Sequence, residues 1–456
     1  MLPKSFCQRM KKLLKEEYAE FEKALTADLP VRGMRLNSIK SSANKAALEF
    51  SLTPISYARD GYVFNSEEPV GTHPLHHSGA IYMQDPGAMA TLGVVDIKPD
   101  FKVIDLCAAP GGKSTQAAAM LGDDGFIVSN EYVMQRAKMM VGNFERLGIK
   151  NSMVTSLDTA EFKKHFRSFF DLCIADVPCS GEGMFRKSSD ALEMWSEENV
   201  KACAKRQTEI IENSAPLVKS GGFLLYSTCT YSLEENEMVV DAFLRNHPEF
   251  SLVEAKPELI AATSEGINFD GSCHDMRRCR RFYPHKSPGE GQFIALMKKE
   301  EKPQDLPTII YKEAQKSIAK EEASIVNDFL FDTLCKTPSE ALVKISDRIV
   351  LSNKKVPPMP YGVLLYGVLV GEIKAKSVTP SHQFYSAFGK LFKRKVELSD
   401  KPDTLSRYLR GEQIPNEEKT QKGFCAVCYG GSVIGGGKCI GDFINNHYPK
   451  GLRNKK

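Results

Sequence analysis

Between residues 102 and 298 the chain repeats one pattern, a short apolar run followed by a stretch with helical spacing. The runs are 103–106 (Val-Ile-Asp-Leu), 126–129 (Phe-Ile-Val-Ser), 153–155 (Met-Val-Thr), 172–175 (Leu-Cys-Ile-Ala) and 223–226 (Phe-Leu-Leu-Tyr). Short runs that do not alternate polar with apolar suit strands covered on both faces. Parallel strands also need long crossovers, which the helical stretches 132–147, 194–218 and 234–246 supply. The pattern predicts an α/β, Rossmann-like core with a doubly wound parallel sheet. The pair Gly221-Gly222 reads as the stop of the middle helix, and 281–283 and 292–298 read as the closing strands.

Outside this core the periodicities change. From Phe6, the apolar positions Met10, Leu13, Leu14, Tyr18, Phe21 and Leu25 form the stripe of an amphipathic helix. Short strands at 31–39 and 62–64 make the first ninety or so residues a small α+β unit. A charged, Pro-containing linker at 298–307 leads to a helix around 324–334, then strands at 345–351 and 361–370 separated by a Pro-rich loop. The end is β-rich, with a strand at 423–429 and a Gly-rich turn at 430–437. The expected domains are 1–92, 93–299, 308–375 and 376–456.

Hydrophobic residues make up 42% of the 456 positions, which excludes a disordered chain, and no apolar run approaches the roughly 20 residues of a membrane span. The N-terminal segment is interrupted by Lys11, Lys12, Lys15, Glu16 and Glu17, so it lacks the apolar core of a secretion signal, and the expectation is a cytoplasmic protein. Twelve scattered cysteines in such a chain are free thiols rather than a disulfide framework. Net charge is uneven. From Lys376 onward there are fifteen Lys or Arg against seven Asp or Glu, so this end carries +8, which on charge alone suits a polyanion or equally a solvated surface.

Chemistry concentrates where the runs end. The first leads into Cys107-Ala108-Ala109-Pro110-Gly111-Gly112-Lys113-Ser114, a small-residue loop opening an alanine-rich helix, as ligand sites at the carboxyl ends of parallel strands require. It is not a phosphate loop, because Cys107 stands where that motif needs its first glycine. Glu131 follows the second run, in position to accept from ribose hydroxyls, and Asp158 follows the third, in position to accept from an adenine amino group. The fourth run ends in Asp176-Val177-Pro178-Cys179, and the fifth in Ser227-Thr228-Cys229. Structural cysteines are commonly buried within elements, as expected for Cys173, whereas Cys179 and Cys229 lie just past strand ends among polar residues.

These motifs resemble the RNA (cytosine-5)-methyltransferases of the bacterial Sun-related group, and most closely the RsmF-type enzymes that modify 16S ribosomal RNA. The match rests on C-A-A-P-G-G-K-S at 107–114, D-V-P-C-S-G at 176–181, S-T-C-T-Y-S at 227–232, and R-R-F-Y-P-H…G-E-G-Q-F-I-A-L closing at Leu296. R-L-N-S-I-K at 35–40 and Y-M-Q-D-P-G-A-M at 82–89 are also similar to the family. R-Y-L-R-G-E-Q-I-P at 407–415 and N-H-Y-P-K-G-L-R at 446–453 resemble its PUA-like RNA-binding end. The resemblance implies a class I methyltransferase core with an N-terminal α+β unit and C-terminal β-rich, PUA-like domains. It implies S-adenosyl-L-methionine as cofactor, held by Cys107 through Lys113, Glu131, Asp158 and Asp176. It also implies that Cys229 attacks and that Cys179 acts in release, an order that residue types alone leave open.

Carbon 5 of cytosine becomes nucleophilic only when a thiolate adds to carbon 6, and the proton on carbon 5 must leave before the sulfur departs, so two thiols have two tasks. Asp176 is the candidate for hydrogen bonding or protonating the N3 side of the base. Competing readings are 5-methylcytosine formation in transfer RNA, and a non-catalytic RNA-binding ribosome assembly factor. Methylation of an exocyclic nitrogen is disfavoured because Cys179 stands where its Asp-Pro-Pro-Tyr loop has tyrosine. Cys425, Cys428, Cys439 and His447, and Cys273, His274, Cys279 and His285, lack the spacing of a metal site, and none is expected. The basic run 277–281 is expected to meet RNA phosphates or cap the edge of the active site. Lys393, Arg394, Lys395, Lys450, Arg453, Lys455 and Lys456 are expected to contact RNA.

Overall fold

The computed structural model describes residues 2–27, 31–40, 49–64, 69–302, 306–310, 315–374 and 376–454. Five parallel strands form its centre: β1 (Lys102–Asp105), β2 (Phe126–Asn130), β3 (Ser152–Thr155), β4 (Phe170–Asp176) and β5 (Val218–Thr228). β6 (Gln292–Lys299) pairs antiparallel with β5, and β7 (Val363–Tyr366) pairs antiparallel with β3. The order β6-β5-β4-β1-β2-β3-β7 reverses direction between β1 and β4, and ligands of such sheets bind at that switch point.

Alternate residues of β4 face opposite cores, which explains why its run is apolar throughout. Leu172 and Ile174 pack with Ala117, Met140 and Phe144, while Cys173 and Ala175 pack with Phe162, Ile211 and Phe243. The helix Met134–Leu147 stops at Gly148, whose φ of 72° suits the left-handed cap. The helix Glu197–Ser214 starts at Ser196, which caps Asn199 N, and ends before Pro216, which lacks the N–H needed to continue it. The stop expected at Gly221-Gly222 is therefore corrected. Both glycines lie inside β5, at an irregularity in its pairing with β4.

The N-terminal stripe folds as two helices, Lys4–Leu14 and Tyr18–Leu25, joined where Lys15 has a φ of 51°. Phe6, Met10, Tyr18, Phe21 and Leu25 are buried against Phe185, Trp195, Tyr231 and Tyr283 of the central unit. A four-stranded sheet follows, ordered Leu52–Pro54, Gly61–Phe64, Gly33–Leu36 and Ile81–Met83. In the C-terminal third, the single strand expected at 345–351 is a hairpin, Ala341–Ile345 with Arg348–Ser352, turning where Ser346 has a φ of 52°. The Gly-rich turn expected at 430–437 is confined to Gly430-Gly431. Gly435, Gly436 and Gly437 belong to the strand Ser432–Ile440, where their missing side chains leave room for Tyr385, Tyr408 and Ile444. Among the described residues no helix is long and apolar enough to cross a membrane.

Candidate active site

At the end of β1, Asp105 is fully buried and accepts a 2.6 Å hydrogen bond from Ser114 Oγ in the helix Gly112–Met120, tying strand to helix beneath the loop. Burial pushes its carboxyl up to about 7. The loop itself is held by its backbone: Ala108 N donates to Asn130 O at 2.7 Å, Arg136 Nη2 to Ala109 O at 3.0 Å, and Asn143 Nδ2 to Pro110 O at 2.9 Å. Gly111, at a φ of 103°, lets the loop turn into the helix.

Past β2, Glu131 is 4% exposed, and its Oε1 accepts from Val133 N at 3.0 Å and from Arg136 at 3.5 Å. Past β3, Asp158 is exposed and caps the helix Thr159–His165 through Ala160 N at 2.8 Å. Asn130 joins these strand ends. Its amide donates to Leu106 O and Leu157 O, and its Oδ1 accepts from Thr155 Oγ1 and Leu157 N.

The sheet brings Cys179, after β4, and Cys229, after β5, to an Sγ···Sγ separation of 3.2 Å. Asp176 lies beside them, accepting from Lys113 Nζ at 2.8 Å and from Ser227 Oγ at 2.7 Å. The hydrogen bond to Cys229, reinforced by burial, pushes the Cys179 thiol well above its ordinary value. Burial works to lower the Lys113 ammonium, yet Asp176 and then Cys229 hold it above its usual range. Lys113 thus keeps a positive charge beside Asp176 and the thiol pair.

Sequence reasoning missed the buried frame around this pair. Glu182 accepts from Trp195 Nε1 (2.9 Å), Ser232 Oγ (2.7 Å) and Tyr231 N (2.9 Å). Glu235 accepts from the loops of both cysteines. The one available signal was acidic residues placed within a few positions of each cysteine, in segments otherwise poor in charge.

The reading of the basic run 277–281 as a phosphate contact is corrected for two members. Arg281 is 2% exposed and bonds Glu237 through two nitrogens and Tyr231 O, and Arg280 is buried against Thr263. A guanidinium buried to this degree and bonded inside the protein is out of reach of an RNA phosphate. Arg277 is exposed and paired with Asp275. Cys425 and Cys439 are buried in adjacent strands. Arg394 pairs with Asp332, while Lys455 and Lys456 lie outside the described residues.

Three family models match the chain: the N-terminal domain of 16S rRNA methyltransferase RsmF over 2–86, 16S rRNA methyltransferase RsmB/F over 93–298, and the methyltransferase RsmF PUA domain over 393–454. The chain is similar to ribosomal RNA small subunit methyltransferase F of Vibrio campbellii, 28% identical over 99% of this chain and 97% of that one. For the Klebsiella pneumoniae protein of the same name the figures are 28%, 92% and 90%. Among solved structures, a methyltransferase homologue from Pyrococcus horikoshii is 26% identical with a TM-score of 0.56, covering 65% of this chain and 95% of that one. NSun6 from Pyrococcus horikoshii, solved with SFG, shares the fold at 24% identity and a TM-score of 0.55, covering 66% and 99%. With a loop-bearing parallel sheet at its centre and family domains matched at both ends, the chain belongs to the RsmB/F family of 16S rRNA methyltransferases, with the N-terminal and PUA domains of its RsmF-type members.

Proposed function

We propose that the protein methylates carbon 5 of cytosine in small-subunit ribosomal RNA, with Cys229 as the nucleophile that adds to carbon 6. The observation that carries this reading is the thiol pair, 3.2 Å apart at the ends of neighbouring parallel strands and flanked by the Lys113–Asp176 ion pair. Methyltransferases of this family use S-adenosyl-L-methionine, and the residues at the switch point fit it. Among the described residues Glu131 Oε2 accepts no hydrogen bond, although the side chain is nearly buried, so an acceptor remains for ligand hydroxyls. A Cβ at Gly111 would lie 3.1 Å from Met140 Cγ, so the loop backbone is close-packed behind its ligand face. Cys107, Ala108, Ala109, Pro110, Gly111, Gly112 and Lys113 would hold the cofactor, with Glu131 at the ribose, Asp158 at the adenine amino group and Asp176 at the reacting end.

When bound, the cofactor supplies an electrophilic methyl group. The remaining work belongs to the protein. The Lys113 ammonium stabilises negative charge on Cys229, and the Cys179 thiol donates a hydrogen bond to the same sulfur. Addition of that sulfur to carbon 6 breaks the aromaticity of the ring and moves electron density to carbon 5. Asp176, anchored by Lys113 and Ser227, meets the N3 side of the base. Once carbon 5 carries its methyl group, its proton must leave to a base before the carbon–sulfur bond breaks. After addition, Cys179 gives its own proton to solvent, its thiolate takes the proton from carbon 5, and the S–H so formed supports the departing Cys229 thiolate. The target base must be unstacked to reach the pair.

RNA carrying 5-fluorocytidine at the target tests the order of the two thiols, because fluorine cannot leave carbon 5 as the proton does and the adduct accumulates. Cys229→Ala abolishes the denaturation-resistant complex, and Cys179→Ala retains it. Methylation by Cys229→Ala would overturn the assignment.

A further inference from the structure

Both thiols sit on loops, and a loop alone does not hold a sulfur to within a fraction of an ångström. Two buried carboxylates, Glu182 and Glu235, connect the two loops, and Glu235 reaches the residues adjacent to both thiols. Glu235, 0% exposed, accepts on Oε2 from Ser180 N at 2.9 Å and Gln207 Nε2 at 2.8 Å, and on Oε1 from Ser180 Oγ at 2.5 Å and Thr230 Oγ1 at 3.3 Å. Ser180 directly follows Cys179 and Thr230 directly follows Cys229, and the Thr230 hydroxyl also lies 2.9 Å from Ser180 Oγ, so its one proton is shared between that oxygen and Glu235. Gln207 reaches on to Pro178 O, which precedes Cys179, at 3.1 Å, and the Tyr226 hydroxyl donates to Glu235 O at 2.6 Å.

Among the described residues no ammonium or guanidinium bonds this carboxylate, and burial pushes it up to about 7. A buried acid without a cation costs stability that an apolar residue would not. What it provides is an acceptor for four donors on three elements. We propose that Glu235 is a positioning residue for the cysteine pair, binding the residues that follow Cys179 and Cys229 so that the two sulfurs stay in contact for covalent addition. The proposal rests on Cys229 and Cys179 being the reacting pair, and it assigns Glu235 to the rate of addition rather than to affinity for cofactor or RNA.

Glu235→Ala leaves Ser180 N without an acceptor and the Gln207 amide with Pro178 O alone. Glu235→Gln can keep all four bonds, because its oxygen takes the two N–H donors while its NH₂ donates to hydroxyls that can reverse direction. The full-length protein is mixed with 5-fluorocytidine RNA and S-adenosyl-L-methionine, and adduct formation is followed in a single turnover. Glu235→Ala slows it by about 30-fold or more, the scale of a misplaced reacting group. Cofactor and RNA affinities stay within about threefold, and Glu235→Gln stays within about fivefold of wild type. Should Glu235→Ala not fold, Thr230→Val keeps the shape, removes one link and slows addition by about fivefold. Wild-type rates in the alanine or valine variant overturn the proposal, as does a glutamine variant as slow as alanine.

A second arm needs neither cofactor nor RNA. The azo compound diamide takes two electrons and two protons from the thiols, becoming the hydrazine as the Cys179–Cys229 disulfide forms, and the linked peptides are quantified by mass spectrometry. Glu235→Ala slows this pairing, and an unchanged rate overturns the clamp. If wild type forms the disulfide but no RNA adduct, the cytosine reading fails while the clamp is decided by this arm.

Discussion

Replacing Asp105 by Asn tests how much the floor of the loop depends on a buried acid. Its folded value, about 7 against 3.8 in the unfolded chain, means that the folded protein retains a proton between roughly pH 4 and 7 that the unfolded chain has already released. Raising pH through that window therefore destabilises the wild type, and above it the penalty is constant. At 1.36 kcal/mol per unit the full penalty is about 4 kcal/mol, of which about 2.5 kcal/mol develops between pH 5 and pH 8. Asparagine cannot ionise, yet it can still accept from Ser114 Oγ. Its amide nitrogen occupies the place of Asp105 Oδ1, which has no partner as it stands. The variant's stability, followed by the urea midpoint at pH 5, 6, 7 and 8, gains on the wild type as pH rises, and taking the difference between the two proteins removes every other titrating group. Parallel curves across this range would refute the buried-acid argument.

Three further outcomes follow from the geometry. Arg281→Met leaves Glu237 charged and unpaired at 0% exposure, so stability falls by about 3–5 kcal/mol in denaturant titration. The salt dependence of RNA binding is unchanged, and a shallower salt slope would instead mark Arg281 as a phosphate contact. Gly183→Ala places a Cβ 2.7 Å from Gly291 O and 2.8 Å from Cys229 O, so the Cys229 loop must shift. Adduct formation drops about tenfold or more while cofactor affinity holds, and an unaffected rate would show that the loop tolerates displacement. Asp158→Asn preserves the helix cap, since asparagine caps as well as aspartate, and so isolates the ligand role. Cofactor Kd by calorimetry rises about tenfold, and an unchanged Kd removes Asp158 from the site.

The strand ends were legible because chemistry and topology coincide there. Runs such as 103–106 and 172–175 point to buried parallel strands, and the residues just after them must lie on one edge, which is how Cys107, Asp176, Cys179 and Cys229 could be grouped without coordinates. The frame was not legible, because a glutamate becomes a buried acceptor only through partners distant in sequence. Trp195 and Tyr231 meet at Glu182, and Ser180 and Gln207 meet at Glu235. Arg281 misled for the same reason: a run of arginines looks solvent-facing until alternation on a strand turns one of them inward to Glu237. Gly221-Gly222 misled because glycine marks a helix stop and a strand irregularity with equal ease.

β7 places a condition on how this protein is made. The edge of β3 is completed by Val363–Tyr366, about 67 residues after the last strand on the other side of the sheet has been synthesised. At about 5–20 residues per second, the sheet spends several seconds with the outward-facing backbone groups of Ser152–Thr155 unpaired on a nascent chain. Ending the chain at residue 299 would make that interval permanent. An exposed edge is a template for pairing with another copy, so such a fragment is expected to self-associate even though every residue of the thiol site is present.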